Sequence, residues 1–158
     1  MQKNLERMMR LADEFFDYRN DPEQIVVDEL IMAKLEAIDP ASLAQQANDD
    51  GPIAWILVIP TTESVMREFL EGKISERKLL EETMPGQQFD AVYLCSALVL
   101  PEFRKKGIAK SLTLRSVNAI RKRHPIRWLY IWPFSEEGAR VAEEVAAEAK
   151  LPLLRKAL

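Results

Sequence analysis

The chain has 158 residues, a net charge of −3, and an apolar fraction of 47% beside a charged fraction of 30%. This composition predicts one globular domain with a substantial core and excludes a disordered or fibrous chain. One cysteine and one histidine exclude an internal disulfide framework and leave almost no ligands for zinc or iron. The alternative of an all-carboxylate Mg²⁺ site stays open, but no pattern marks one, and we expect no metal.

The apolar runs of the chain are short. Residues 53–59 form one of the longest runs, far below the length of a membrane span. Residues 1–10 lack the apolar segment of a secretory signal. Together with the single cysteine, these features predict a cytoplasmic protein that does not enter a membrane.

Two helices are predicted in the first quarter of the chain. Residues 4–18 place apolar side chains every three or four positions, which is typical of one buried helix face. A short strand is predicted at 24–27, and Asp28 then caps a helix that extends through Ile38. Residues 41–51 are polar and are predicted to be a loop that ends in an Asn-Asp-Asp-Gly turn.

The next segment combines a buried strand with a helical stretch. Residues 52–59 carry apolar side chains on both faces, which predicts a strand in the centre of a sheet, and Pro60 is expected to end it. Two short helices with hydroxyl side chains at their N-termini follow: residues 61–70, capped by Thr61 or Thr62, and residues 75–82, capped by Ser75.

The second half alternates between strands and helices. The predicted elements are strand 91–100, helix 107–122, strand 126–132, helix 135–150 with Ser135 as its cap, and strand 151–154. This order predicts the α/β class, with helices packed on the faces of a mixed sheet. We find no repeat or long linker, so residues 1–158 are predicted to be a single domain.

A basic turn lies between two of these elements. From Arg104 to Arg127 the chain carries nine Lys or Arg residues and no Asp or Glu. The turn itself, residues 104–107, ends in a glycine at the start of a predicted helix, where backbone N–H groups have no helical partner and anions are attracted. The pattern favours a phosphate or pyrophosphate ligand. The alternative is a solvated helix face; neither G-x-x-x-x-G-K-[ST] nor G-x-G-x-x-G is present.

Residues 104–109 have the form R-x-x-G-x-A and follow the strand end Val-Leu-Pro-Glu-Phe. In these features the sequence resembles the GNAT superfamily of acyl-CoA-dependent N-acetyltransferases, over about residues 92–154. The resemblance implies acetyl-CoA as co-substrate, a primary amine as acceptor, and a mixed, largely antiparallel central sheet. Residues 61–88 would then be a helical insertion before the strand that leads into the CoA loop.

The resemblance also implies which residues contact CoA. Strand 126–132 would splay away from the preceding strand, and the pantetheine arm would enter the gap. The backbone of Leu98, Val99 and Leu100 would meet that arm and the acyl carbonyl, and Ser135 would donate a hydrogen bond to it. The pyrophosphate would be bound by the loop and the first helical turn: Arg104, Lys105, Lys106, Gly107, Ile108, Ala109 and Lys110.

The general base and general acid of the family cannot be carried over. Strand residues 93–98 include no carboxylate where the family often has a Glu, and helix 136–150 includes no Tyr. The remaining candidates are Cys95 as a nucleophile, Ser96 as a residue that orients water, and Tyr130 as an acid. For each of them the alternative is an ordinary role in packing or in the sheet.

Three functions are compatible with the sequence. The first is transfer of an acyl group from acetyl-CoA to a primary amine. The second is a GNAT-like protein that binds or senses acyl-CoA with weak transfer, which the missing Glu and Tyr favour. The third is binding of a nucleic acid or acidic protein by the basic run, which the overall acidity disfavours. The insertion, residues 61–88, would wall the acceptor site, form a homodimer contact, or be a surface elaboration.

Overall fold

The computed structural model describes residues 3–19, 24–25 and 27–157. Within this part of the chain, a five-stranded mixed sheet is flanked by six α-helices, which confirms the predicted α/β class. The helices are α1 (Lys3–Arg19), α2 (Glu29–Ile38), α3 (Glu63–Leu70), α4 (Glu76–Glu82), α5 (Ile108–Arg121) and α6 (Glu136–Ala149). The strands are β1 (Leu43–Asn48), β2 (Gly51–Thr61), β3 (Ala91–Val99), β4 (Trp128–Ile131) and β5 (Leu153–Arg155).

Side-chain caps begin four of the helices, as their sequences predict. Asp28 accepts a hydrogen bond from the amide of Ile31 at 2.8 Å and starts α2. The remaining three caps each accept from the amide three residues further on: Thr62 before α3, Ser75 before α4, and Ser135 before α6. Each cap satisfies an amide that the helix itself leaves without a partner, and so sets where the helix begins.

The strands are ordered β1-β2-β3-β4-β5 across the sheet. β1 and β3 pair with β2 in the antiparallel sense, whereas β3–β4 and β4–β5 are parallel. The expectation of a largely antiparallel sheet is therefore wrong for the described strands, because two of their four pairings are antiparallel and two are parallel. The reason is that α5 and α6 cross over between successive strands and return the chain in its original direction.

Three expectations for the first half need correction. Residues 43–48, predicted to be loop, form edge strand β1, which has little apolar alternation because its last four residues are exposed. Gln24, Ile25 and Val27 do not form the predicted strand, since the Ile25 amide donates to the Glu76 side chain instead; Val26 lies outside the described residues. Pro60 does not end β2 as expected, because the strand continues through it to Thr61.

The core occupies both faces of the sheet. β2 is buried along nearly its whole length, which confirms its predicted central position. Phe69 of α3 packs on Tyr93 with ring centroids 5.0 Å apart, and Tyr93 stacks on Tyr130 at 5.2 Å. A smaller cluster joins α1 to the ends of β2 and β3 through Met8, Ile53 and Leu100. Among the described helices, none has the length and apolar character needed to cross a membrane.

An ion pair between a buried carboxylate and an exposed arginine connects the C-terminal end of α2 to the C-terminal end of α5. The Asp39 side chain is 1% exposed and accepts hydrogen bonds from Arg123 at 2.5 and 2.9 Å. His124 Nε2 lies 3.9 Å from the same carboxylate. Burial raises the pKa of Asp39, but hydrogen bonds from Arg123 and the Ala41 amide, with the charges of Arg123 and His124, outweigh burial and hold that pKa below its ordinary value.

Because the folded-state pKa of Asp39 is depressed, its stabilising effect is complete above the unfolded-state pKa of 3.8 and is lost as pH falls through the folded value. We expect Arg123→Ala to lower the free energy of unfolding by about 2 kcal/mol at neutral pH, since it leaves a buried carboxylate without its main partner. This cost should shrink below pH 3.8. Urea denaturation at neutral and acidic pH measures it, with Lys122→Ala as the exposed control. An Arg123→Ala cost that does not change with pH would contradict this assignment.

Candidate functional site

A gap opens between the parallel strands β3 and β4. The two strands pair at only three positions, Ala91 with Trp128, Val92 with Leu129, and Tyr93 with Tyr130. β4 ends one residue later, whereas β3 continues to Val99. Among the residues that the structure describes, the edge of β3 beyond Tyr93 therefore has no strand partner on the β4 side.

A β-bulge lies at the point where the gap begins. Leu57 of β2 pairs with Ser96, but the next residue, Val58, pairs with Leu94. Cys95 is therefore the extra residue of β3. A bulge bends its strand and increases the local twist, which directs the outer half of β3 away from β4.

The gap contains a cavity of about 590 Å³. Its wall is largely apolar and is formed by β3, the segment that follows β4, and α6, with contributions from α1 and α5. The apolar residues of the wall include Leu94, Leu98, Ile131, Trp132, Val141 and Ala142. A cavity of this size and character can hold a small organic ligand.

Backbone groups of β3 are directed into the gap at alternate residues. The amide of Leu100 donates to the carbonyl of Ile53 at 3.0 Å, toward β2. Because successive residues of an antiparallel strand direct their N–H and C=O groups to opposite sides, Leu98 also faces β2, and Ala97 and Val99 face the gap. Arg104 Nε already donates to the Val99 carbonyl at 2.9 Å.

The N-terminus of α5 lies next to this edge. Gly107 adopts the left-handed conformation (φ 77°) and provides no side-chain cap, and Lys105 is also left-handed (φ 62°). The first helical hydrogen bond runs from the Ser111 amide to the Gly107 carbonyl. The amides of residues 108–110 therefore lack helical acceptors, and the helix dipole adds positive potential there.

The turn before α5 carries three basic side chains and one nearby carboxylate. Arg104, Lys105 and Lys106 are all exposed. The nearby carboxylate of Glu102 accepts two hydrogen bonds from Arg7 of α1, at 2.6 and 2.8 Å, and these bonds lower the pKa of Glu102 to about 2. The turn therefore keeps its excess of positive charge, because α1 neutralises its only acidic neighbour in the sequence.

The structure divides the residues that were expected to contact CoA into three sets. Five of them line the cavity: Leu98, Val99, Arg104, Ala109 and Ser135. Lys105, Lys106, Gly107, Ile108 and Lys110 lie in the adjoining loop and first turn of α5. Leu100 is 1% exposed in the small core cluster, and its amide bonds to β2.

The three candidate catalytic residues also separate. Cys95 and Ser96 line the cavity. Tyr130 is fully buried outside the cavity wall, and its hydroxyl lies 2.7 Å from Thr61 Oγ1. Burial raises the pKa of Tyr130 far above its ordinary value. These contacts fit a core residue that closes the inner end of the gap, and not an acid that reaches a ligand.

The sequence analysis missed a buried carboxylate that contacts Cys95. Glu76, in the first turn of α4, is 1% exposed. It accepts hydrogen bonds from the Tyr93 hydroxyl at 2.6 Å, the Ile25 amide at 2.9 Å and the Cys95 thiol at 3.7 Å. No local pattern distinguishes it, because a glutamate that follows a serine cap is common in exposed helices.

Two carboxylates line the cavity itself, Glu14 of α1 and Glu137 of α6, and both are exposed. The site thus combines an open strand edge, an apolar cavity, a basic helix N-terminus, and a thiol in contact with a buried carboxylate.

No protein-family model and no curated protein sequence matches this chain.

Proposed function

We propose that this protein is an acyltransferase of the GNAT type, which binds an acyl-CoA between β3 and β4 and transfers the acyl group to a primary amine. The observation that carries the proposal is the gap itself. It joins an unpaired strand edge to the N-terminus of α5 through a cavity of about 590 Å³. An extended arm with an anion at one end matches these three features together.

The pantetheine arm would bind as an added strand. Its amides alternate donors and acceptors along an extended chain, as a peptide strand does. The backbone groups of Ala97 and Val99, directed into the gap, are the partners within reach. The apolar wall would then exclude water from the thioester and strengthen the polar contacts made to its carbonyl.

The pyrophosphate would bind at the start of α5. The amides of residues 108–110 point out of the helix end, and Gly107 has no atoms within 4 Å of the position where a Cβ would stand. Backbone and anion can therefore approach closely, as at other anion-binding helix N-termini. Arg104, Lys105 and Lys106 add formal charge at the same place.

The basic run favours this function over nucleic-acid binding, because its charges do not form one free surface. Several of its side chains make contacts within the protein: Arg104 with the Val99 carbonyl, Lys110 with Glu148, Arg121 with the Ala149 carbonyl, and Arg123 with Asp39. Nucleic-acid binding would need these charges to contact phosphates along a groove.

A second candidate is a protein that binds acyl-CoA and transfers the acyl group only weakly. It is favoured by the side chains at the bulge, since Cys95 and Ser96 line the cavity where the family resemblance implies a glutamate. A weak-transfer protein would bind acetyl-CoA but release CoA slowly with every amine offered.

Calorimetric titration with acetyl-CoA, CoA and ADP tests the proposal directly. We expect micromolar binding of acetyl-CoA and CoA and weaker binding of ADP, because ADP provides the pyrophosphate without the arm that enters the gap. Release of CoA should then accelerate with at least one member of a panel of primary amines. Binding without acceleration would favour the second candidate, and the absence of any binding would contradict both.

A further inference from the structure

A thiol and a buried carboxylate meet at the bulge of β3. Cys95 Sγ donates to Glu76 Oε2 at 3.7 Å, within the range of a sulfur hydrogen bond. Cys95 also lines the cavity in the gap. A nucleophile in hydrogen-bond contact with a base, facing a ligand cavity, is the arrangement of covalent group transfer.

The carboxylate is held in place from two further directions. The Tyr93 hydroxyl donates to Oε2 at 2.6 Å, and the Ile25 amide donates to Oε1 at 2.9 Å. These contacts come from separate segments of the chain, so Glu76 has one defined position beneath the bulge. The inserted segment, residues 61–88, thereby delivers a carboxylate to β3, which has none of its own between residues 91 and 99.

We propose that Cys95 carries the acyl group as a thioester between acyl-CoA and the amine, with Glu76 as the base that takes and returns the thiol proton. This inference rests on the proposed function, because it requires an acyl-CoA in the gap. Tyr93 is a positioning residue that orients Glu76.

The first half-reaction transfers the acyl group to the protein. The proton of the Cys95 thiol passes to Glu76 Oε2 while Sγ attacks the thioester carbonyl. The new bond joins Sγ to the acyl carbon, and the bond from that carbon to the CoA sulfur breaks. CoA leaves as a thiolate and takes a proton from solvent. The Cys95–Glu76 pair holds a single negative charge at the start of this step and none after it, so no second charge is placed beside the buried carboxylate.

The second half-reaction regenerates the protein. A neutral amine attacks the acyl carbon of the Cys95 thioester, and the bond from that carbon to Sγ breaks. Sγ recovers its proton from Glu76, and the nitrogen loses its extra proton to solvent. The products are the amide, the Cys95 thiol and the Glu76 carboxylate. The sum of both halves is transfer from acyl-CoA to the amine, with no further reactant.

Intact-mass measurement after incubation with acetyl-CoA, without amine and with an acid quench, tests the proposal. The chain has a single cysteine, so a thioester has one site. We expect the mass of one acetyl group per chain, removed by hydroxylamine at neutral pH, and a matching burst of CoA. Cys95→Ala should bind acetyl-CoA in calorimetry within about 3-fold of the unmodified affinity, with no adduct and transfer to amines reduced at least ~100-fold.

Glu76→Gln should slow adduct formation at least ~100-fold. Glu81→Gln on the exposed side of the same helix is the matched control and should leave the rate unchanged. Acetyl-CoA binding without an adduct, or full transfer by Cys95→Ala, would overturn the covalent route and leave the proposed function standing. An absence of acetyl-CoA binding in the unaltered protein would overturn both. A Glu76→Gln protein that fails to fold leaves the Cys95→Ala result to decide.

Discussion

Gly107→Glu is expected to weaken acetyl-CoA binding at least 100-fold, which corresponds to about 2.7 kcal/mol. The new carboxylate would stand at the N-terminus of α5, where the pyrophosphate is proposed to bind. It would repel the phosphates and would compete with them for the helix amides and the positive potential at this end of the helix. Global stability should fall by only about 1 kcal/mol, the cost of a side chain at φ 77°.

Two control variants separate charge from backbone strain. Gly72 has the same φ of 77° and, like Gly107, no atoms within 4 Å of a Cβ position. Gly72→Glu should therefore cost similar stability but leave the affinity for acetyl-CoA unchanged. Gly107→Ala introduces the strain without the charge and should weaken binding less than Gly107→Glu. Calorimetry on the three variants decides, and equal affinity in Gly107→Glu and the unaltered protein would refute the pyrophosphate site.

Glu76→Leu is expected to lower the free energy of unfolding by about 3 kcal/mol, because it leaves two buried donors without an acceptor. The Tyr93 hydroxyl and the Ile25 amide both donate to this carboxylate, and neither can turn to solvent beneath α4. Removing one member of a set of buried polar partners is costly, even where replacing all of the partners by apolar residues is not. Urea denaturation measures the change.

The matched control for this change is Glu81→Leu, at an exposed position of the same helix. It should alter the free energy of unfolding by less than about 0.5 kcal/mol. Glu76→Gln should fall between the two, since its amide oxygen can still accept part of the hydrogen bonding that the carboxylate accepts from Tyr93, Ile25 and Cys95. If Glu76→Leu were as stable as the unaltered protein, the carboxylate would not be what fastens α4 to β3 and the segment before α2.

The helices and the strands of the second half were predictable from local pattern. α1 follows from the spacing of its apolar residues, and Asp28, Ser75 and Ser135 cap the helices that they were expected to cap. These features depend on neighbours within four positions, so the linear sequence contains them. The basic turn with its glycine is equally local, and its candidate role as an anion site needed no tertiary information.

The sequence by itself therefore determined the α/β class, most helix starts and the place of the proposed phosphate site. Only the tertiary structure decided the rest. Strand β1 forms because β2 offers it a pairing edge, and its own residues show little strand pattern. The gap exists because the pairing of β3 with β4 stops after Tyr93 and Tyr130, a relation between residues 37 positions apart. Glu76 meets Cys95 across 19 positions. Contacts at such separations arise from how layers pack, which no local pattern encodes.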